Sequence, residues 1–92
     1  MALADRYNFE DLANEAERHV LDELERQMDE RGVPELDEEL VLDMAAYALN
    51  HVRPLYRVNL LGRLYTQNLS DEYRAEITQA VRAAMRRVLD GA

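Results

Sequence analysis

The chain predicts an all-α domain, and three observations predict it. Twelve alanines and fourteen leucines stand against seven valines, one isoleucine and two threonines, which is the composition of helices. Apolar residues recur at three- and four-residue spacing in three separate stretches. The five glycines and prolines all fall between or after those stretches, where helices stop. Ninety-two residues make a single domain, residues 1–92. A domain of that size buries only somewhat more than about 60% of its unfolded surface, so pairing with a second copy would add stability.

Residues 1–7 predict a frayed lead, with Leu3 and Tyr7 available to dock. Asn8 is the expected N-cap of a long helix over residues 9–31, and Glu10 and Asp11 in its first turn suit the positive end of the helix dipole. Its apolar stripe is Phe9, Leu12, Ala13, Ala16, Val20, Leu24 and Met28, widened by Leu21. Such a helix spans about 34 Å, longer than one small domain needs, so part of the stripe is expected to face a second copy. His19, beside the stripe, has no metal partner at helical spacing and is an ordinary surface or interface residue. Gly32 stops the helix. Asp37 either caps the next helix from Glu38 or belongs to an isolated acidic turn over residues 35–39, whose carboxylates lack the alternating spacing of a calcium loop.

The central helix is marked by Val41, Met44, Ala45, Ala48 and Val52 on one side. Pro54 ends it: proline has no N–H for the ladder and pushes Arg53 out of the α region, so the chain should leave the helix near residues 51–53 and run extended or turned through 55–57. Residues 55–67 carry Tyr56, Val58, Leu60, Leu61, Leu64 and Tyr65, too apolar for a free loop. They fit a short helix, an ordered irregular segment sealing the core, or a two-stranded patch of 56–59 with 63–66 around Gly62. Ser70 then caps a last helix over residues 71–89, with Tyr73, Ile77, Ala80, Val81, Ala84, Met85 and Val88 packed and Gly91 ending it. Arg74, Arg82 and Arg86 form an exposed ridge with Arg87 beside it, and Arg74 and Arg82 have Glu76 and Asp71 as expected partners.

The absence of cysteine removes disulfides, thiolate chemistry and cysteine-based metal sites, and the two histidines lie far apart, so neither metal nor cofactor is expected. No nucleophile, base and orienting group recur together, and there is no glycine-rich phosphate loop, so the chain is not expected to be an enzyme. No apolar run approaches the roughly 18 residues of a membrane span and no signal peptide is visible, which predicts a cytoplasmic protein with no membrane contact.

Charge is divided. Residues 1–46 balance at −11 and residues 47–92 at +3, within a net −8. An acidic protein repels long nucleic acid, yet a local arginine cluster can still grip a small dianion. All eleven basic residues are arginine, the side chain that pairs bidentately with phosphate and stacks on bases. Asn50, Arg53, Tyr56 and Arg57 crowd the end of the central helix, with Arg63 in support. The arginines there either satisfy the carbonyls of a helix C-terminus or, with the tyrosine and asparagine, form a ligand-binding site.

The run Asp43-Met-Ala-Ala-Tyr-Ala-Leu-Asn50, followed by Arg53-Pro54-Leu55-Tyr56, resembles the late competence development ComFB family. The similarity extends more loosely over residues 14–89. The resemblance implies a small all-helical homodimer and, from cyanobacterial and Firmicutes relatives, a receptor for cyclic dinucleotides, chiefly cyclic di-GMP, which reports to a downstream protein partner. Many relatives carry a cysteine cluster that resembles a zinc site; its absence here resembles the cyanobacterial branch. The ligand class therefore comes from the resemblance, whereas Asn50, Arg53, Tyr56, Arg57 and Arg63 are singled out by chemistry and position. The alternative is a structural or protein-interaction module whose acidic helix docks a basic partner.

Overall fold

A computed structural model describes residues 2–58 and 69–91. The described residues form a mostly helical domain: α1 (Leu3–Arg6), α2 (Ala16–Arg31), α3 (Glu38–Leu49) and α4 (Asp71–Leu89). The departure from all-helix is a two-residue antiparallel ladder of β1 (Ala13–Asn14) and β2 (Tyr56–Arg57), with Ala13 opposite Arg57 and Asn14 opposite Tyr56.

The core is the seam where α4 lies against both α2 and α3. Val20 from α2, Met44 from α3, and Val81 and Met85 from α4 are its largest fully buried side chains. Ala16, Leu24, Ala45, Ala48, Tyr73, Ile77, Ala80 and Ala84 fill the space around them. The alanines let the helix axes approach closely, while each large aliphatic side chain removed from water contributes roughly 1.5–3 kcal/mol. Polar groups stitch the seam on one side. Gln27, buried on α2, donates to Glu23 Oε2 (2.7 Å) and to the Thr78 carbonyl of α4 (3.1 Å). Glu23 also accepts two bonds from Arg26, which hold its carboxyl below the usual range despite partial burial.

The helix ends follow local chemistry. Gly32 takes φ +67°, its N–H reaches the Asp29 carbonyl and the Val33 N–H reaches Met28, which closes α2 in a Schellman motif. Ser70 Oγ accepts from the Tyr73 N–H at 3.1 Å and starts α4, and Gly91 adopts φ +68° after its end. Asp37 stands at the cap position of α3 without a side-chain capping bond; its carbonyl accepts from Leu40 and Val41 instead.

Several expectations are corrected. The long helix starts at Ala16, not Phe9, so it spans about 24 Å instead of 34 Å. Asn8 caps only a local turn to the Glu10 N–H, and Phe9 and Leu12 are each 44% exposed. The reason is a competing set of backbone partners: residues 13–15 run beside 55–57, and the Asn14 side chain caps Ala16. The lead holds a short helix, α1, with no buried residue. The central helix ends at Leu49, before the expected 51–53, because the last turn tightens: His51 N–H reaches the Ala48 carbonyl, and its ring stacks on Tyr47 at 4.2 Å. Pro54 lies beyond this turn, where it blocks any return to helix. In residues 55–67, Leu55 packs against the core but Tyr56 and Val58 are exposed; residues 59–67, including the expected strand at 63–66, lie outside the described residues.

Candidate functional site

The segment after α3 is fastened by its backbone to two other parts of the chain, residues 14–15 and α4. Asn14 Oδ1 accepts from the Leu55 N–H at 2.8 Å and from the Ala16 N–H at 3.1 Å, so one side chain both starts α2 and holds the segment against it. The Leu55 carbonyl accepts from the Glu15 N–H at 2.8 Å. From α4, Tyr73 donates its hydroxyl to the Arg53 carbonyl at 2.6 Å, and burial keeps that phenol's pKa above its ordinary value. Glu76, also on α4, accepts from the Arg53 backbone N–H at 3.1 Å through one oxygen and from Arg53 Nε at 2.8 Å through the other.

Around this fixed backbone the expected residues divide. Arg53 keeps its side chain 62% exposed, with its guanidinium carbon 5.4 Å from the centre of the Tyr73 ring; the Glu76 carboxylate raises its pKa further. The cavity beside it, about 470 Å³, is also lined by Glu72 and Glu76, so an anion entering there meets two carboxylates for one arginine. Tyr56 is 55% exposed. Arg57 is half-buried and turns one guanidinium nitrogen back onto the Tyr56 carbonyl at 2.8 Å. Successive strand residues face opposite ways, so Tyr56 and Arg57 flank the strand instead of sharing a face. Asn50 is exposed at the end of α3, and Arg63 lies outside the described residues. Arg53, Tyr56 and Arg57 therefore lie along one strip of chain, residues 53–57, which follows Asn50 at the end of α3.

Asn14, Tyr73 and Glu76 are the residues that sequence reasoning missed here. Asn14 carried a signal: a weak helix former with Glu17 three residues on is a cap signature. By its spacing Tyr73 reads as a packing residue, and Glu76 as a partner of Arg74 or Arg82. Arg74 instead donates to the Leu69 carbonyl at 3.3 Å. Arg82 and Arg86 have no ion-pair partner among the described residues and line a cleft of about 230 Å³ with Arg26 and Arg31, whose charges are met by Glu23, Glu30 and Asp90.

Comparison with known families decides what kind of chain this is. The family model of the late competence development protein ComFB matches residues 13–91. The chain belongs to the ComFB family. No curated protein matches it. The matched region opens at β1, so the ComFB match takes in Asn14 and its clamp on the strip and leaves out α1 and the lead. No helix among the described residues is long and apolar enough to cross a membrane.

Proposed function

We propose that this ComFB-family protein is a non-enzymatic, cytoplasmic receptor for a cyclic dinucleotide, cyclic di-GMP foremost, and that it works as a homodimer signalling to a downstream protein. The family resemblance supports the ligand class. The observation that carries the site is the strip itself: its backbone is tied to α2 and α4 while Tyr56 and the Arg53 guanidinium face solvent. Side chains on a held backbone lose little freedom on binding. Two phosphates on a compact ring offer oxygen pairs to Arg53 and Arg57, and the purines offer faces to Tyr56 and an edge to Asn50; Arg63 is kept as a supporting cation. Because the cavity between Arg53 and α4 is acidic, the ligand lies instead over β2, where it reaches Tyr56 on one side of the strand and Arg57 on the other. The acidic first half disfavours long nucleic acid, which must lay many phosphates along the surface.

Exposed apolar side chains support the dimer. Leu3, Tyr7, Phe9 and Leu12 in the lead, and Tyr56 and Val58 by the ladder, are all at least 44% exposed. Calorimetric titration with cyclic di-GMP, and with cyclic di-AMP and GTP for comparison, tests the proposal. Saturable cyclic di-GMP binding by a species sedimenting at twice the 10.7 kDa chain mass is the expected result. Absence of binding at high micromolar ligand removes the receptor reading, and a 10.7 kDa species at micromolar concentration removes the dimer.

A further inference from the structure

A groove of about 340 Å³ runs between α2, the loop after Gly32 and the start of α3. Its apolar floor includes Leu21, Leu24, Met28 and Val41, and Leu21 is 49% exposed. Its rim carries Glu25, Asp29 and Glu35. Among the described residues no basic residue lines it and none of the three carboxylates has an ion pair. Leu21, Glu25 and Asp29 follow one another at four-residue spacing, so a single row along α2 passes from apolar to acidic. Leu24 and Met28 form the row beside it.

We infer that this groove is a docking site for a basic amphipathic helix of a partner protein. The occupant must bring apolar residues at three- and four-residue spacing to cover Leu21, Leu24 and Met28, and lysine or arginine at the flanks to meet Glu25, Asp29 and Glu35. Charge complementarity selects it over a second copy of this chain, since a two-fold contact through the same groove sets three carboxylates against three. The surface is separate from the strip at residues 53–57, so the inference does not depend on the receptor reading.

The test is a fluorescence-anisotropy titration, without nucleotide and at about 0.15 M salt, of a labelled leucine–lysine amphipathic helix of about 18 residues. Two groove variants are compared with the parent: Leu21→Gln, and the rim set Glu25→Gln, Asp29→Asn, Glu35→Gln. A control set removes the same charge elsewhere, through Asp5→Asn, Glu10→Gln and Glu17→Gln. Both groove variants should weaken the peptide about tenfold while the control set stays within about twofold. Equal weakening by the control set overturns the inference, because net charge alone then attracts the peptide. An unchanged affinity for Leu21→Gln also overturns it, and so does conversion of a parent dimer to monomer by Leu21→Gln, which assigns the groove to a second copy. All these substitutions are at exposed positions and none is in the core, so retained helical circular dichroism is expected in each.

Discussion

The seam between α2, α3 and α4 and the strip at residues 53–57 are held in place by different forces. In the seam, large aliphatic side chains and alanines exclude water along whole helix faces, and hydrogen bonding is secondary. In the strip the side chains lie largely at the surface, and position comes from hydrogen bonds to Asn14, Glu15, Tyr73 and Glu76. Cooperative packing stabilises the whole domain, whereas a few directed bonds fix a local geometry. A surface strip built the second way stays exposed without being loose.

The largest expected effect lies in the seam. Met44 is fully buried at its centre, and Met44→Ala should lower unfolding free energy by about 2–5 kcal/mol, through lost burial plus the cavity left behind. Urea denaturation measures it. A loss under about 1 kcal/mol breaks the comparison, since the seam would then not be the source of stability.

The next effect separates the two regions. Asn14→Ala removes the acceptor shared by Leu55 and Ala16, and should cost about 1–3 kcal/mol. Its signature is local: the Leu55 amide should lose protection from hydrogen exchange much more than amides in the middle of α3 and α4. Uniform loss across all helices would mean that the strip is part of the core's cooperative unit.

The same division explains how much of the molecule was legible in the sequence. Periodicity and caps are local, so α4 was readable from Ser70 through Val88, Gly32 announced the end of α2, and Val41 to Ala48 gave the buried side of α3. The start of α2 was misplaced because Phe9, Leu12 and Ala13 continue the helical spacing of the stripe. Pairing of residues 13–14 with 56–57 overrides that spacing, and only Asn14 with Glu17 hinted at the later start. In the strip, Arg53, Tyr56 and Arg57 were recognisable from their chemistry and the nearby proline. Their supports were not, because Asn14 holds the Leu55 N–H from 41 residues away and Glu76 holds Arg53 from 23. Spacing along a chain carries no record of such contacts.

Arg57 offers the cleanest test of the central claim. Arg53→Ala would also remove the Nε bond and ion pair to Glu76, whereas Arg57 makes a single side-chain bond, to the neighbouring Tyr56 carbonyl, among the described residues, so Arg57→Ala should change stability by no more than about 0.5 kcal/mol. The measurement is the calorimetric affinity of Arg57→Ala for cyclic di-GMP beside that of the parent. At least about tenfold weaker binding, with the helical signal and unfolding midpoint kept, is the predicted result for a lost charge-assisted phosphate contact. An affinity within about twofold of the parent would contradict the assignment of the ligand to this strip.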